Sequence, residues 1–172
     1  RAGEALEISE QRYRSLFDGV PVGLYRTSTK EKFLDANPAL VEMLGFPDRE
    51  SLMAVNFGDL YENIEEREQL LSTLVKKGLV QDHPARLRRK DGEVIWVEGN
   101  TRAIKDDDGQ ILHLEGSLKD VTEQVQTNMA LRQRDAILEA ISFASGKFLR
   151  ATDWQESVQD ALGHLGQGAD VC

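Results

Sequence analysis

The chain has 172 residues, of which 40% are hydrophobic and 30% charged, and its formal net charge is −9. This acidic balance argues against binding to nucleic acid or to anionic lipid. The one cysteine is the last residue, Cys172, so neither an internal disulfide framework nor a cysteine-based metal site is expected. No apolar run is long enough to cross a membrane or to form a signal peptide, so we expect a cytoplasmic chain without direct membrane contact. Because it begins at Arg1, it reads as a piece of a larger protein.

The first half of the sequence combines helical patterns with two short strands. Residues 5–17 form an amphipathic helix with Leu6, Tyr13, Leu16 and Phe17 on one side. An Asn-Pro pair at 37–38 is typical of a helix start. The elements that follow residue 17 are predicted as a strand at 22–27, a strand at 32–36, a helix from Asn37 to Gly45, a helical turn at 47–54 and a helix at 63–77.

The helix at 63–77 is the longest element of this half. Acidic residues lie in its first turns and lysines in its last, which matches the helix dipole. Helical spacing predicts a buried face formed by Ile64, Leu70, Leu71, Leu74 and Val75.

Three strands joined by two Asp-Gly turns follow, and the whole stretch covers residues 85–123. Asp91-Gly92 and Asp108-Gly109 provide the positive φ angles that tight hairpins need. In the middle strand, Val94, Trp96 and Glu98 fall on one face. Because an exposed tryptophan is costly, we expect Trp96 to be covered by the N-terminal helix or by a second subunit. The residues predicted for the inward face are Ile95, Val97, Gly99, Thr101 and Ala103.

The basic run at 86–90 is interpreted as a solvated strand end. After the third strand, Asp120 and Glu123 have the spacing of a helix-capping box.

A long helical pattern runs from Val121 to about Arg150. Its seam at heptad spacing carries polar interruptions, which include Arg134, and it favours a parallel coiled-coil dimer over a helix packed on its own domain. A new helical pattern begins at Asp153 and is too short to form a core, so it indicates the start of a following domain. The seam residues are Leu131, Leu138, Ile141, Ser145 and Phe148.

Two strands, a helical crossing and a three-strand meander predict an α+β fold with one antiparallel sheet and helices on one face. The other face then needs a partner, which can be the N-terminal helix, a second subunit or water.

Several motifs together resemble a PAS domain with its C-terminal PAC segment. The motifs are ANPAL at 36–40, MLGF at 43–46, RRKDGEVIWVE at 88–98, DDDG at 106–109 and SLKDVTE at 117–123. The resemblance implies a PAS-like five-stranded antiparallel sheet, flanked by an N-terminal helix and a long C-terminal helix. It divides the chain into an N-terminal helix at 1–17, the PAS/PAC domain at 18–122, a signalling helix at 123–150 and, at 151–172, a truncated start similar to a GAF domain.

The resemblance also implies a function. It indicates a sensory or dimerisation module of a bacterial signal-transduction protein, of the two-component histidine kinase or diguanylate cyclase type. Such a module relays its signal through the C-terminal helix to a downstream effector and forms a parallel homodimer through its flanking helices. Asp120 and Thr122 match the Asp-x-Thr signature that ties helix to sheet in this family, and a simple helix cap is a compatible reading.

No effector enzyme is recognisable in the sequence, and no cofactor or metal is predicted. There is no phosphate-binding glycine-rich loop, no metalloprotease histidine pair and no nucleophile elbow. Light-sensing flavin relatives need a cysteine where residues 57–64 have none, and the helix at 63–77 offers no histidine for heme. His83, His113 and His164 lack metal-ligand spacing, and the acidic run at 106–108 is interpreted as a solvated turn.

A small-molecule pocket on the inward face is the open alternative, since a heme, a flavin or a metabolite would bind there. Small inward residues leave room either for a ligand or for the leucines of the long helix, and close packing favours a filled apolar core. No inward arginine, lysine or paired carboxylate is expected to hold a charged ligand, which leaves Tyr25 and Thr101 as the polar candidates. The pocket candidates are Tyr25, Leu71, Leu74, Leu87, Val97 and Thr101.

Overall fold

The computed structural model describes the backbone of residues 2–167 and the side chains from Leu6 to Ser145. The chain divides into two compact units between Val125 and Gln126. In the described residues, the first unit holds the sheet, the shorter helices and the start of the last helix. The elements in chain order are α1 (Ala2–Gly19), β1 (Gly23–Thr27), β2 (Phe33–Ala36), α2 (Pro38–Met43), α3 (Arg49–Met53), a 3-10 turn (Phe57–Leu60), α4 (Ile64–Lys77), β3 (Leu79–Arg88), β4 (Val94–Lys105), β5 (Ile111–Asp120) and α5 (Thr122–Gln167).

The five strands form one antiparallel sheet in the order β2-β1-β5-β4-β3. Helix α2 packs against β1, α3 against β2, and α4 against β3 and β4. The predicted α+β, PAS-like fold with five antiparallel strands and a long C-terminal helix is therefore confirmed. The core lies between the sheet and these helices, with Leu40, Leu44, Leu52, Phe57 and Leu74 almost completely buried.

Strand β3 begins at Leu79, six residues before the predicted position at Ala85. Gly78 ends α4 in the left-handed conformation (φ 77°), and the chain enters the strand directly. Residues 81–84 lack the alternating apolar pattern of a strand, so the sequence did not predict a strand there. An irregular register between Val80 and His83 accommodates them. Pro84 is tolerated because β3 lies at the edge of the sheet.

Helix α4 has a narrower buried face than its sequence pattern suggests. Leu70 and Leu74 are buried and Leu71 partly so, whereas Ile64 and Val75 are 69% and 63% exposed. The prediction that Ile64 and Val75 belong to the buried face was therefore wrong. The face of a helix that packs on a sheet is formed by residues spaced three and four apart. Ile64 and Val75 lie at the borders of this face.

The outer face of the sheet carries Trp96, which is only partly buried in the single chain. The guanidinium of Arg86 lies 5.4 Å from its ring centroid and also pairs with Glu62 at 3.1 Å. Lys90 lies over the ring of Phe46 at 5.3 Å. The basic run at 86–90 is thus more than a solvated strand end, since two of its cations contact aromatic rings. Cover of Trp96 by the N-terminal helix or by a second subunit stays a prediction.

Helix α5 continues from Thr122 to Gln167, without the interruption expected near Arg150. The expected new start at Asp153 is therefore not a helix start, because no proline or terminating glycine separates the two patterns. Phe148 and Trp154 lie outside the side chains that the structure describes, as do residues 168–172 altogether. Assignment of residues 151–172 to a following domain stays a prediction. Within the described range, no helix is long and apolar enough to span a bilayer.

Asn37 joins three segments of the first unit. Its side-chain oxygen accepts hydrogen bonds from the amides of Leu40 at 3.1 Å and Leu24 at 2.8 Å. Its amide nitrogen donates to the carbonyls of Phe17 at 3.0 Å and Val22 at 2.9 Å. The helix cap predicted from the Asn-Pro pair thus also holds the end of α1 and the start of β1.

We expect Asn37→Ala to lower the free energy of unfolding by about 3 kcal/mol, because it removes a cap and leaves buried backbone groups without partners. Asn63→Ala is the matched control, since Asn63 caps α4 by accepting from the Glu65 amide at 2.9 Å at an exposed site. The control is expected to lose about 1 kcal/mol. Urea unfolding measures both values, and equal losses would contradict the joining role of Asn37.

Candidate functional site

The predicted pocket residues lie together on the inward side of the sheet and on the helix that faces it. Tyr25, Thr101, Leu87 and Val97 are buried on the strands, and Leu74 is buried on α4. Leu71 is partly buried beside them. The hydroxyl groups of Tyr25 and Thr101 share a hydrogen bond of 2.7 Å. The two polar candidates therefore satisfy one another, and a ligand-binding role for the set stays a prediction.

An arginine that the sequence reasoning missed lies inside this hollow. Arg67 of α4 is 4% exposed, so the expectation that no inward arginine is present was wrong. Its guanidinium lies 5.2 Å from the ring centroid of Phe57 and 5.0 Å from that of Tyr61. Arg67 stands three residues before Leu70 and seven before Leu74, so helical spacing places it on the buried face. An arginine at such a position usually extends its charge into water, which is why the spacing alone was not decisive.

Glu31 is the counterion of Arg67. The Nε and Nη2 atoms of Arg67 both contact the Oε1 atom of Glu31. Nη2 is buried and pairs with this oxygen without a hydrogen bond of normal geometry. A buried guanidinium is tolerated only when it is paired, so Glu31 is the group that makes the position of Arg67 possible.

Glu31 belongs to the turn between β1 and β2, which packs against the 3-10 turn. Its backbone has a φ of 63°, a conformation that residues other than glycine seldom adopt. Its amide donates to the Ser28 carbonyl at 3.0 Å, and its carbonyl accepts from the Phe57 amide at 2.9 Å. A Cβ atom at position 58 would overlap the Oε2 atom of Glu31, so a larger residue there would shift the end of the Glu31 side chain.

Aromatic rings fill the space around this ion pair. Phe57 is at the centre, with ring centroids 4.7 Å from Tyr25, 5.3 Å from Phe33 and 5.7 Å from Tyr61. Burial raises the pKa of both the Tyr25 and the Tyr61 hydroxyl groups, although Arg67 opposes the change. Both phenols therefore stay neutral, and Arg67 and Glu31 are the charged groups of this ring cluster.

Of the three histidines, the structure describes the side chains of two. His83 lies at the irregular position of β3, opposite Gly99, and its buried Nε2 atom has no hydrogen-bond partner. Burial lowers its pKa, the charge of Glu66 opposes this change, and the charge of Arg67 adds to it. His113 faces outward, as expected, and lies 3.1 Å from Glu115. His164 lies outside the described side chains.

The acidic run at 106–108 is a turn closed by its own side chain. The Oδ1 atom of Asp106 accepts hydrogen bonds from the amides of Asp108 at 3.0 Å and Gln110 at 2.8 Å. Among the described residues, no group of three or more acidic, histidine or cysteine side chains has an arrangement that holds a metal ion.

The outer face carries a charge cluster around Glu115. This carboxylate accepts from Arg26 at 2.7 Å and from Arg102 at 2.8 Å. Burial alone would raise the pKa of Glu115, but the hydrogen bonds from Arg102, Arg26 and His113 lower it to about 2. The cluster borders a shallow depression of about 280 Å³, which Phe17 at the end of α1 also lines.

The junction between β5 and α5 is tied to the neighbouring strand β4. The Thr122 hydroxyl accepts a hydrogen bond of 2.9 Å from the Trp96 amide, and the Val121 amide donates one of 2.9 Å to the Trp96 carbonyl. Asp120 accepts from the Thr122 amide at 2.9 Å and pairs with Arg89 at 3.6 Å. The residues predicted for this junction, Asp120 and Thr122, therefore bind the helix start to the sheet. Their part in signal transmission stays a prediction.

Comparison with known proteins identifies the family. A model of the PAS domain matches residues 20–123, which is more than half of the chain, so the chain belongs to the PAS family. A solved PAS domain of a protein from Colwellia psychrerythraea aligns with a TM-score of 0.59 and 22% identity, covering 67% of this chain and 98% of that one.

Similar sequences of known function are parts of larger signalling proteins. The chain is 23% identical to the methanogenesis regulatory histidine kinase FilI of Methanothrix harundinacea, over 98% of its own length and 19% of the kinase. It is also 23% identical to the probable diguanylate cyclase DgcE of Escherichia coli, over 80% of its own length and 12% of that protein. The chain thus spans less than a fifth of each relative, and it is a PAS sensory module of the kind that signalling proteins contain.

We expect Glu31→Gln to lower the free energy of unfolding by about 2 kcal/mol, because a neutral amide cannot balance the buried guanidinium. Arg67→Met is expected to cost roughly 1 kcal/mol, since methionine fills the volume and Glu31 can reach water. The control is Glu93→Gln, whose carboxylate pairs with Arg89 at the surface at 3.1 Å and contributes about 0.5 kcal/mol or less. Chemical denaturation gives the three values, and a Glu31→Gln loss as small as that of the control would contradict this account.

Proposed function

We propose that this PAS module detects a stimulus and relays it through α5 to a downstream effector of the histidine kinase or diguanylate cyclase type. The module itself carries no catalysis in this proposal, and the effector belongs to the parent protein. The relatives that share its PAS region support the class of effector. We also propose that the parent protein is a cytoplasmic, bacterial protein of the two-component type. Nucleic acid is not among its proposed partners, which the net charge of −9 supports.

The observation that supports the relay is the tie between the exit helix and the interior of the sheet. Trp96 holds the start of α5 through both its amide and its carbonyl. Its neighbours Ile95 and Val97 are buried against the hollow on the opposite face. A change of packing in the hollow that moves this part of β4 therefore moves the groups that anchor the helix, which is the differential contact that a relay requires.

Dimerisation through the flanking helices is part of the same proposal. On α5, Leu131, Leu138 and Ile141 are 48%, 52% and 57% exposed in the single chain. On α1, Leu6 and Leu16 are 70% and 71% exposed. Apolar stripes of this kind on two helices need cover, and a parallel second copy would supply it at heptad spacing.

Binding of a small molecule in the hollow is the second candidate function. The specific observation in its favour is the Arg67 guanidinium, because a charged group in an apolar hollow is the kind of feature that orients a ligand. We propose no heme or flavin for the resting module, and we place a metabolite first among the possible ligands.

Replacement of Thr122 tests the relay. Thr122→Val removes the hydroxyl and keeps the shape, so exchange of the Trp96 amide hydrogen should rise about fivefold for the loss of about 1 kcal/mol. Thr122→Ser retains the hydroxyl and is the control. Hydrogen exchange of the module and the stimulus response of the full-length protein are measured together. An unchanged response in Thr122→Val, despite faster exchange, would reject the relay through this contact.

Substitutions that change the charge of the α5 seam test whether this helix forms the dimer. Leu138→Lys should convert the dimer to a monomer, because it places two lysines at one seam position, whereas Gln133→Lys lies outside the seam and should leave the dimer intact. Arg134→Leu removes a polar interruption and should strengthen the association. Sedimentation equilibrium measures the dissociation constants, and a monomeric parent chain at all concentrations would contradict the dimer.

A visible absorption spectrum and native mass spectrometry of freshly purified protein distinguish the candidate functions. We expect no heme or flavin band. An added mass that survives gentle desolvation and disappears in Arg67→Met would favour the ligand-binding candidate. A strong Soret or flavin band would overturn our choice of a metabolite over these cofactors.

A further inference from the structure

The environment of Arg67 forms a binding site for one carboxylate, which we call the seat. Its guanidinium lies over the rings of both Phe57 and Tyr61, and its carboxylate partner is Glu31, through the Oε1 atom. The Glu31 side chain is 21% exposed, while that of Arg67 is 5% exposed. The carboxylate therefore enters from the surface side, and the cation belongs to the interior.

The main-chain contacts of Glu31 are separate from the contact that its carboxylate makes with Arg67. Its backbone has a φ of 63°, which residues other than glycine seldom adopt. The backbone hydrogen bonds of the turn, from the Phe57 amide and to the Ser28 carbonyl, do not involve the carboxylate. Room for Oε2 exists because residue 58 is glycine. The carboxylate can thus leave Arg67 without breaking these main-chain contacts.

We propose that Arg67 recognises a small carboxylic acid with an apolar or aromatic body, and that Glu31 is a built-in competitor that occupies the seat in its absence. This inference rests on the second candidate function above and names its ligand class. The carboxylate of the ligand replaces that of Glu31 on the guanidinium, so the buried charge stays paired throughout the exchange. The body of the ligand takes the place of the displaced Glu31 side chain on the surface side of the guanidinium, where the Glu31 side chain is 21% exposed. Displaced Glu31 reaches water, and the turn at 28–32 loses its side-chain contact with α4.

The competition has a predictable magnitude. A group tethered beside its own site acts at an effective concentration in the millimolar range or above. The parent chain should therefore bind a free carboxylate more weakly than a variant without the Glu31 carboxylate, by about tenfold where the effective concentration is about ten times the dissociation constant of the seat.

The test is a titration of Glu31→Ala with acetate, propionate and benzoate. Binding is followed by the nitrogen-15 and proton shifts of the Phe57 and Tyr61 amides and of the Arg67 Nε–H group, and by the rise in melting temperature. Acetamide, benzamide and sodium sulfate at matched ionic strength are the controls for charge and for shape. The double variant Glu31→Ala, Arg67→Met is the control for the site.

We expect Glu31→Ala to bind the carboxylates, benzoate most tightly, and the double variant to bind none of them. The parent chain should respond to the same ligands at about tenfold higher concentration or more. An equal response to sulfate or to the amides, or no response in folded Glu31→Ala, would overturn the proposal. A parent chain that never responds would overturn the exchange with Glu31.

Gly58→Ala provides a second route if Glu31→Ala does not fold. Its added Cβ forces the Oε2 end of the flexible Glu31 side chain to shift and so weakens its contact with Arg67 while both charges remain, and the same titration should then show tighter binding than in the parent chain. Absence of binding in this variant would reject the seat. Carboxylate binding without any change in the output of the full-length protein would reject the relay and retain the site, so the two failures are distinguishable.

Discussion

The burial of one guanidinium organises the interior of this module. Arg67 projects from α4 into a hollow lined by aromatic rings, where an unpaired charge would be costly. Its partner Glu31 comes from the turn between β1 and β2, and room for that partner comes from Gly58 in the 3-10 turn. Three segments that are distant in sequence thus depend on one electrostatic requirement, and the aromatic cluster packs around it.

The two faces of the sheet carry different kinds of side chains. The inward face combines large apolar side chains with the Tyr25–Thr101 pair, and it supports the helices. The outward face is charged, with Glu115 between two arginines and Trp96 under a third. Strand β4 contributes to both faces, because consecutive side chains of a strand point in opposite directions.

This alternation places the exit helix next to the hollow. Ile95 and Val97 line the interior, while the backbone of Trp96, between them, holds Thr122 and Val121 at the start of α5. The distance in sequence between Glu31 and Thr122 is large, yet one strand separates the interior from the helix junction. The proposed relay from the interior to α5 uses this adjacency, which a single strand provides.

Local patterns in the sequence were sufficient for the fold class and the strand meander. The Asp-Gly turns, the alternation of residues 94–103 and the Asn-Pro cap each act over a few residues, so their outcome does not depend on distant partners. For Asp120 and Thr122, the resemblance to the PAS family implied the tie between helix and sheet that the structure shows. The early start of β3 was not predicted, because its polar residues are compatible with a strand only at a sheet edge.

The character of the hollow was decided by tertiary structure alone. Helical spacing placed Arg67 on the same face as Leu70 and Leu74, but spacing does not say whether an arginine is buried or extends to water. That choice depends on a counterion 36 residues away, on a glycine beside that counterion and on two rings over which the cation lies. The sequence by itself therefore determined a PAS-like sheet with a tied exit helix. Only the folded chain determined that its interior holds a charge, because pairing between distant residues carries no local pattern.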